Sequence, residues 1–168
     1  MRYTESITGI NYISDSNLIN SGVSMPIESG LKSEFQRQMW TVRSFPEGKR
    51  NCYKINITIE SKYLIRTIYL YGNYDGLNQT PQFDTHLGAN WWHTVILSNA
   101  STPQTNEIIH VPSQDYVQIC LVDTGHGTPF ISAIEFRTLN DHIYDTQFGS
   151  LELHNYMRFD LGSNNYYR

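Results

Sequence analysis

The segment from Cys52 to Tyr71, CYKINITIESKYLIRTIYLY, narrows the fold more than any other part of the chain. In its first half Ile55, Ile57 and Ile59 alternate with Lys54, Asn56, Thr58 and Glu60, the two-residue period of a strand with one face buried and one in water. That strand is read as Cys52 to Glu60. In the second half, Lys62 to Tyr71, both faces are apolar apart from Arg66, as expected of a central strand covered on both sides. A half-covered strand beside a fully covered one requires stacked β-layers. Further strands are read at Phe83 to Leu87, Thr94 to Ser98, Glu107 to Val111, Tyr116 to Val122 and Phe130 to Arg137. Turn-rich connections such as YDGLNQTPQ, SNASTPQ, VPSQD and TGHGTP separate them. No stretch sustains a helical apolar period. The chain is therefore read as all-β, an antiparallel β-sandwich of jelly-roll type.

Gross composition limits the partners. With 168 residues, 39% of them apolar and 13% aromatic, the chain has material for one core. The net charge of −4, without a basic cluster, argues against nucleic acid. The opening MRYTESITG lacks the apolar run of a signal peptide, and no later window reaches 18 apolar residues, so neither a leader nor a membrane span is read from this sequence.

The chemistry-bearing residues are sparse. Parity places Cys52 with Lys54 and Asn56, and Cys120 with Gln118, on the outer faces of their strands. If those strands are neighbours the two cysteines can pair, and otherwise they stand as two small unpaired residues. Asn56, Asn78 and Asn99 each begin an N-x-Ser/Thr sequon at a position read as exposed. Asp123 lies in LVDTGHGTPF, where a strand running into Asp-Thr-Gly resembles the catalytic turn of aspartic peptidases; no second such turn supplies the partner carboxylate, and Gly125 and Gly127 suit a plain structural turn. Asp84 and His86 share a strand face, but two ligands do not make a metal site, and none of the six histidines has HxH or HExxH spacing. No cofactor is implied. Tyr71, Tyr74 and Asp75, in YGNYDG, combine aromatic rings with a carboxylate at a strand end, as a sugar-binding lip would, while Asn73 and Gly76 equally suit a polar turn. Trp91 and Trp92 are adjacent, so alternation points one ring inward and one outward. Closure of the core by both is the favoured reading, and an exposed indole contacting a ligand is the rival.

The blocks RSFPEGKRNCYKI, KYLIRTIYLYGNYDGLNQTPQFDTHLG and VQICLVDTGHGTPFISAIEFRTL, with TGINYISDSNLINSG near the start, closely resemble the malectin-like ectodomain of plant leucine-rich-repeat receptor-like Ser/Thr kinases. The resemblance implies a malectin-type β-sandwich outside the plasma membrane, in a receptor whose membrane span and kinase lie elsewhere in the chain. It also implies a lobe over residues 1–139 that lacks the family's first strand, with 140–168 as linker and incomplete start of a second lobe. The function it implies is recognition of carbohydrate, or of an extracellular peptide or protein such as a co-receptor ectodomain, without catalysis in this chain. The alternative is a structural spacer or inert receptor fragment.

Overall fold

The computed structural model describes residues 2–59, 61–140, 144 and 149–153. Among these residues it contains β1 (Arg2–Thr4), β2 (Asn11–Ile13), β3 (Val23–Pro26), β4 (Thr41–Ser44), β5 (Arg50–Asn56), β6 (Lys62–Tyr69), β7 (Gln82–Leu87), β8 (Asn90–Ile96), β9 (Gln104–Val111), β10 (Tyr116–His126), β11 (Phe130–Ile131), β12 (Ala133–Leu139) and β13 (Gly149–Leu153). Two four-stranded antiparallel sheets, ordered β5-β10-β7-β8 and β12-β6-β9-β13, form the sandwich. A three-stranded sheet β11-β4-β3 and a hairpin β1-β2 complete the described part. Short 3₁₀ turns at Ser29–Glu34 and Arg37–Met39 connect β3 to β4.

The alternation read from the sequence explains the layers. On β6, Tyr63 and Ile65 point into the sandwich, where they meet Leu87, Trp92, Val117 and Ile119 of the opposite sheet. A second, larger cluster joins Tyr69, Tyr71, Phe83 and Leu121 to Ile27, Val42, Phe45 and Phe130, so the three-stranded sheet shares the core. β6 is buried along its whole length. Burying large aromatic and branched side chains contributes about 2 kcal/mol each, and the edge-to-face contacts of Tyr69 with Phe83 and Phe130, centroids 5.7 and 6.4 Å apart, add to that.

The outward face of β6 is also buried, and it carries a charge. Arg66 stands directly between Glu107 on β9 and Glu135 on β12 in the strand register. Its guanidinium pairs with both carboxylates, at 3.2 Å in the case of Glu135, and Arg137 reaches the same Glu135 oxygen at 2.7 Å. Arg66, Glu107 and Glu135 are all buried, which only mutual neutralisation makes tolerable. The Tyr12 hydroxyl donates to Glu135 and so ties the N-terminal hairpin to this row.

Cys52 and Cys120 face each other in the β5-β10 register with Cα atoms 3.9 Å apart and are joined by a disulfide.

Several boundaries differ from the sequence reading. The strand expected over Cys52 to Glu60 ends at Asn56, because its partner β10 begins at Tyr116 and the Ile57 N–H turns to the Asp115 carbonyl instead; Ile59 is exposed, and Glu60 lies outside the described residues. β6 stops at Tyr69, after which Leu70 N–H bonds the Ser132 hydroxyl. The strand expected at Thr94 begins at Asn90, because Gly88 at φ 59° allows a tight hairpin from β7. The run Phe130 to Arg137 breaks at Ser132, where the chain passes from the β4 sheet to the β6 sheet. β13 pairs with β9, and residues 154–168 lie outside the described residues.

Two substitutions test this account. Arg66→Met leaves two buried carboxylates without their shared cation and is expected to cost about 3 kcal/mol or more in urea unfolding. Gly72 sits at φ +52° with a Cβ position only 2.5 Å from the Ile27 side chain. Gly72→Ala is therefore expected to cost about 2 kcal/mol, read as a fall in midpoint at unchanged slope.

Candidate functional site

In the YGNYDG turn both tyrosine rings are buried and Asp75 is exposed. Tyr71 and Tyr74 are 0% and 8% exposed, and their rings pack on each other and on Phe130 at centroid distances of 5.2 to 6.2 Å. The Tyr71 hydroxyl donates to Asp75, and the Asp75 carboxylate also accepts the Leu77 N–H at 3.1 Å. Asn73 accepts the Asn78 N–H at 2.9 Å. Burial, with Asp75 beside it, pushes the Tyr71 phenol up to about 12, and burial does the same for Tyr74. The Tyr71 hydroxyl and the Asp75 carboxylate thus serve the turn itself, and the Tyr74 hydroxyl accepts from the Ser44 hydroxyl of β4 at 3.3 Å, because the strand end dives under the β11 segment instead of stopping at the surface.

The tryptophans part as alternation requires: Trp92 is 3% exposed and in the core, whereas Trp91 is 59% exposed on β8, the edge of its sheet. The expectation that both close the core therefore fails for Trp91. Asn56, Asn78 and Asn99 are exposed. Asp123 accepts the Gly125 N–H at 2.7 Å and Thr124 donates to the Gln82 carbonyl at 2.8 Å, so Asp-Thr-Gly is a capped bulge between β10 and β7. Among the described residues no three His, Cys, Asp or Glu side chains come together as a metal site.

The site that the structure does assemble lies elsewhere. A groove of about 700 Å³ opens between the N-terminal hairpin, the residues following it, and β3 and β4. It is lined by Tyr3, Tyr12, Asp15, Gln38, Trp40 and Arg43 among others, and a second hollow of about 480 Å³ adjoins it across Tyr3, Arg37 and Trp40. One wall is the hairpin. Glu5 shapes its turn by accepting the Thr8 N–H at 2.7 Å and the Thr8 hydroxyl at 2.6 Å, and Gly9 supplies the positive φ needed to return. Tyr3 and Tyr12 stack across the two strands at 5.4 Å, and Arg37 caps the Tyr3 ring at 4.6 Å.

The other wall is fixed by charge. Arg43 forks onto Asp15 at 2.5 and 2.6 Å, and Tyr53 donates to the same carboxylate at 3.0 Å. Burial opposes ionisation of Asp15, but the Arg43 and Tyr53 hydrogen bonds outweigh it and hold the carboxyl below its ordinary value. Between the walls, the Gln38 amide donates to Gln36 Oε1 at 2.8 Å, which leaves Gln38 Oε1 and the Tyr3 hydroxyl buried without a partner among the described residues. The Trp40 indole N–H is engaged by the Phe35 carbonyl at 2.7 Å, so the ring face is what it presents. None of these residues was a candidate from sequence, since strands of three or four residues show no period. The available signal was the pair of tyrosines flanking the glycine turn in YTESITGINY.

A family model described as Malectin-like domain matches residues 1–168. Among curated proteins, the chain is 54% identical over 149 residues to "Probable LRR receptor-like serine/threonine-protein kinase At1g51880" of Arabidopsis thaliana, which takes in 89% of this chain and 17% of that protein. It is 49% identical over 166 residues to At1g51860, described in the same words, taking in 99% of this chain and 19% of that protein. The chain thus spans less than a fifth of either relative's length. Among solved structures, the ANX2 ectodomain from Arabidopsis thaliana superposes with a TM-score of 0.74 at 16% identity, covering 90% of this chain and 44% of that one. The structure of plant peptide RALF23 in complex with FER and LLG2 gives 0.66 at 14%, covering 82% and 38%. At such identity the likeness concerns the fold.

The Asp15 geometry sets a pH dependence. A carboxyl held below its unfolded value of 3.8 contributes stability that is present above that value and is lost as pH falls below it through the lowered folded-state value. Asp15→Asn is expected to flatten the acid limb of stability against pH, from about pH 5 downward, in thermal melts.

Proposed function

Because the chain belongs to the malectin-like domain family, we propose that it is the extracellular recognition module of an LRR receptor-like kinase, held outside the plasma membrane and binding its ligand without catalysing a reaction. The observation that carries the reading is the groove: concave, aromatic-walled, and holding buried polar atoms that no described residue satisfies.

Peptide and co-receptor partners are supported by the neighbouring fold described with RALF23 and LLG2, and saccharides by the mixture of rings and neutral polar groups in the groove. The Cys52–Cys120 disulfide suits an oxidising compartment. Asn56, Asn78 and Asn99, all exposed, are proposed N-glycan acceptors. Trp91 is proposed as a further contact for a protein partner, while Tyr71, Tyr74, Asp75 and Trp92 are assigned to the scaffold.

The groove reading is tested by filling it. Ser24 is exposed on the groove wall, so Ser24→Trp is expected to leave the melting temperature within about 2 °C and to weaken ligands selected from a glycan array or a phage-displayed peptide library by about tenfold or more. Ile96→Ala, at an exposed position of β8 away from the groove lining, is expected to leave that binding unchanged. Ligand affinity unaffected by Ser24→Trp would overturn the placement.

A further inference from the structure

Away from the groove, and resting on the reading of Asn56, Asn78 and Asn99 as N-glycan acceptors, the surface gives those glycans a place to lie. Each of the three asparagines has a strongly exposed aliphatic side chain within three positions: Ile59 at 47%, Leu77 at 72% and Ile96 at 62%. Single exposed apolar residues are ordinary, but one beside every sequon calls for a common cause. Two of the three share a rim. Thr80 donates to the Leu97 carbonyl at 3.3 Å and the Gly72 N–H to the Ala100 carbonyl at 2.8 Å, so the loop with Leu77 and Asn78 lies against the end of β8 and the turn with Asn99. Asn56 stands at the other end of the same sheet, where β5 meets the start of β10. The Asn99 carboxamide is presented for modification: its Oδ1 accepts the Ser101 N–H at 2.9 Å and the Ser101 hydroxyl at 3.2 Å, bonds that a sugar on Nδ2 leaves intact. Asn78 is exposed at φ 53°, its N–H held by Asn73 Oδ1 at 2.9 Å.

We propose that N-glycans on Asn78 and Asn99 fold their first N-acetylglucosamine onto Leu77 and Ile96 and close this rim to other apolar surfaces, and that a glycan on Asn56 does the same for Ile59. The attachment forms a bond from Asn Nδ2 to the anomeric carbon of N-acetylglucosamine and breaks that carbon's bond to the diphosphate of a lipid-linked oligosaccharide donor. The lipid diphosphate leaves with the electron pair, and one amide proton is released. A pyranose ring carries C–H groups on its faces and hydroxyls around its edge, so it covers an aliphatic side chain on one side and presents a wetted surface on the other. The reach is sufficient: Leu77 adjoins Asn78, and three residues of chain separate Ile96 from Asn99 by no more than about 11 Å.

The experiment secretes the chain from cultured human cells held at the high-mannose stage of glycan processing. One portion keeps its glycans, a second is trimmed by endoglycosidase H to a single N-acetylglucosamine on each asparagine, and a third is stripped by peptide-N-glycosidase F, which leaves aspartate. Peptide mass spectrometry is expected to find Asn78 and Asn99 glycosylated. Stripping is expected to raise the fluorescence of a bound hydrophobic dye at least about twofold and to cause self-association seen by light scattering, whereas the trimmed form behaves like the intact one. Leu77→Ser combined with Ile96→Ser, both at exposed positions, is expected to abolish the rise. Asn78 or Asn99 found bare overturns its assignment as an acceptor and this inference with it. Occupied asparagines with no change on stripping, a trimmed form that behaves like the stripped one, or a rise that survives in the double serine variant overturn the contact while leaving the acceptors in place.

Discussion

A guanidinium buried between two carboxylates governs this molecule. Arg66 lies mid-way along the most deeply buried strand, and its partners Glu107 and Glu135 stand opposite it on the strands to either side. Sliding β9 or β12 by one residue would turn a carboxylate into the apolar interior and leave the cation alone on the other face. The row therefore fixes the register of three strands at once, which hydrophobic contacts, being indifferent to small shifts, do less sharply. Through the Tyr12 hydroxyl on Glu135 it also fixes where the N-terminal hairpin lies. The groove exists because the hairpin is held there.

How much of this could be read in the sequence follows from strand length and periodicity. The pair Cys52 to Tyr71 announced stacked layers correctly, since eight consecutive buried positions on β6 leave an unmistakable apolar run. Arg66 appeared only as the exception in that run, because its compensation lies 41 residues away on β9 and 69 away on β12. The hairpin and β3 escaped notice because three or four residues cannot display an alternation.

The candidate residues divide for a related reason. Tyrosine and aspartate in a turn carry the same letters whether they face a ligand or one another, and in YGNYDG they face one another. Adjacent tryptophans must part in a strand, and the exposed member was identifiable only once the hairpin after Gly88 fixed where β8 begins. Gln38 and Trp40 are set by what surrounds them: an amide held by its neighbour, and an indole whose polar edge is already occupied.

The hairpin that walls the groove is two three-residue strands with no core of their own. Arg37 over the Tyr3 ring and the Tyr12 phenol on Glu135 attach it to the rest of the described structure. Local opening there costs less than global unfolding. A ligand that touches both walls binds only the attached form, so its apparent affinity scales with the attached fraction. Residues that never line the groove thereby bear on any ligand held there: the charge row on the outward face of β6 acts through the hairpin it holds.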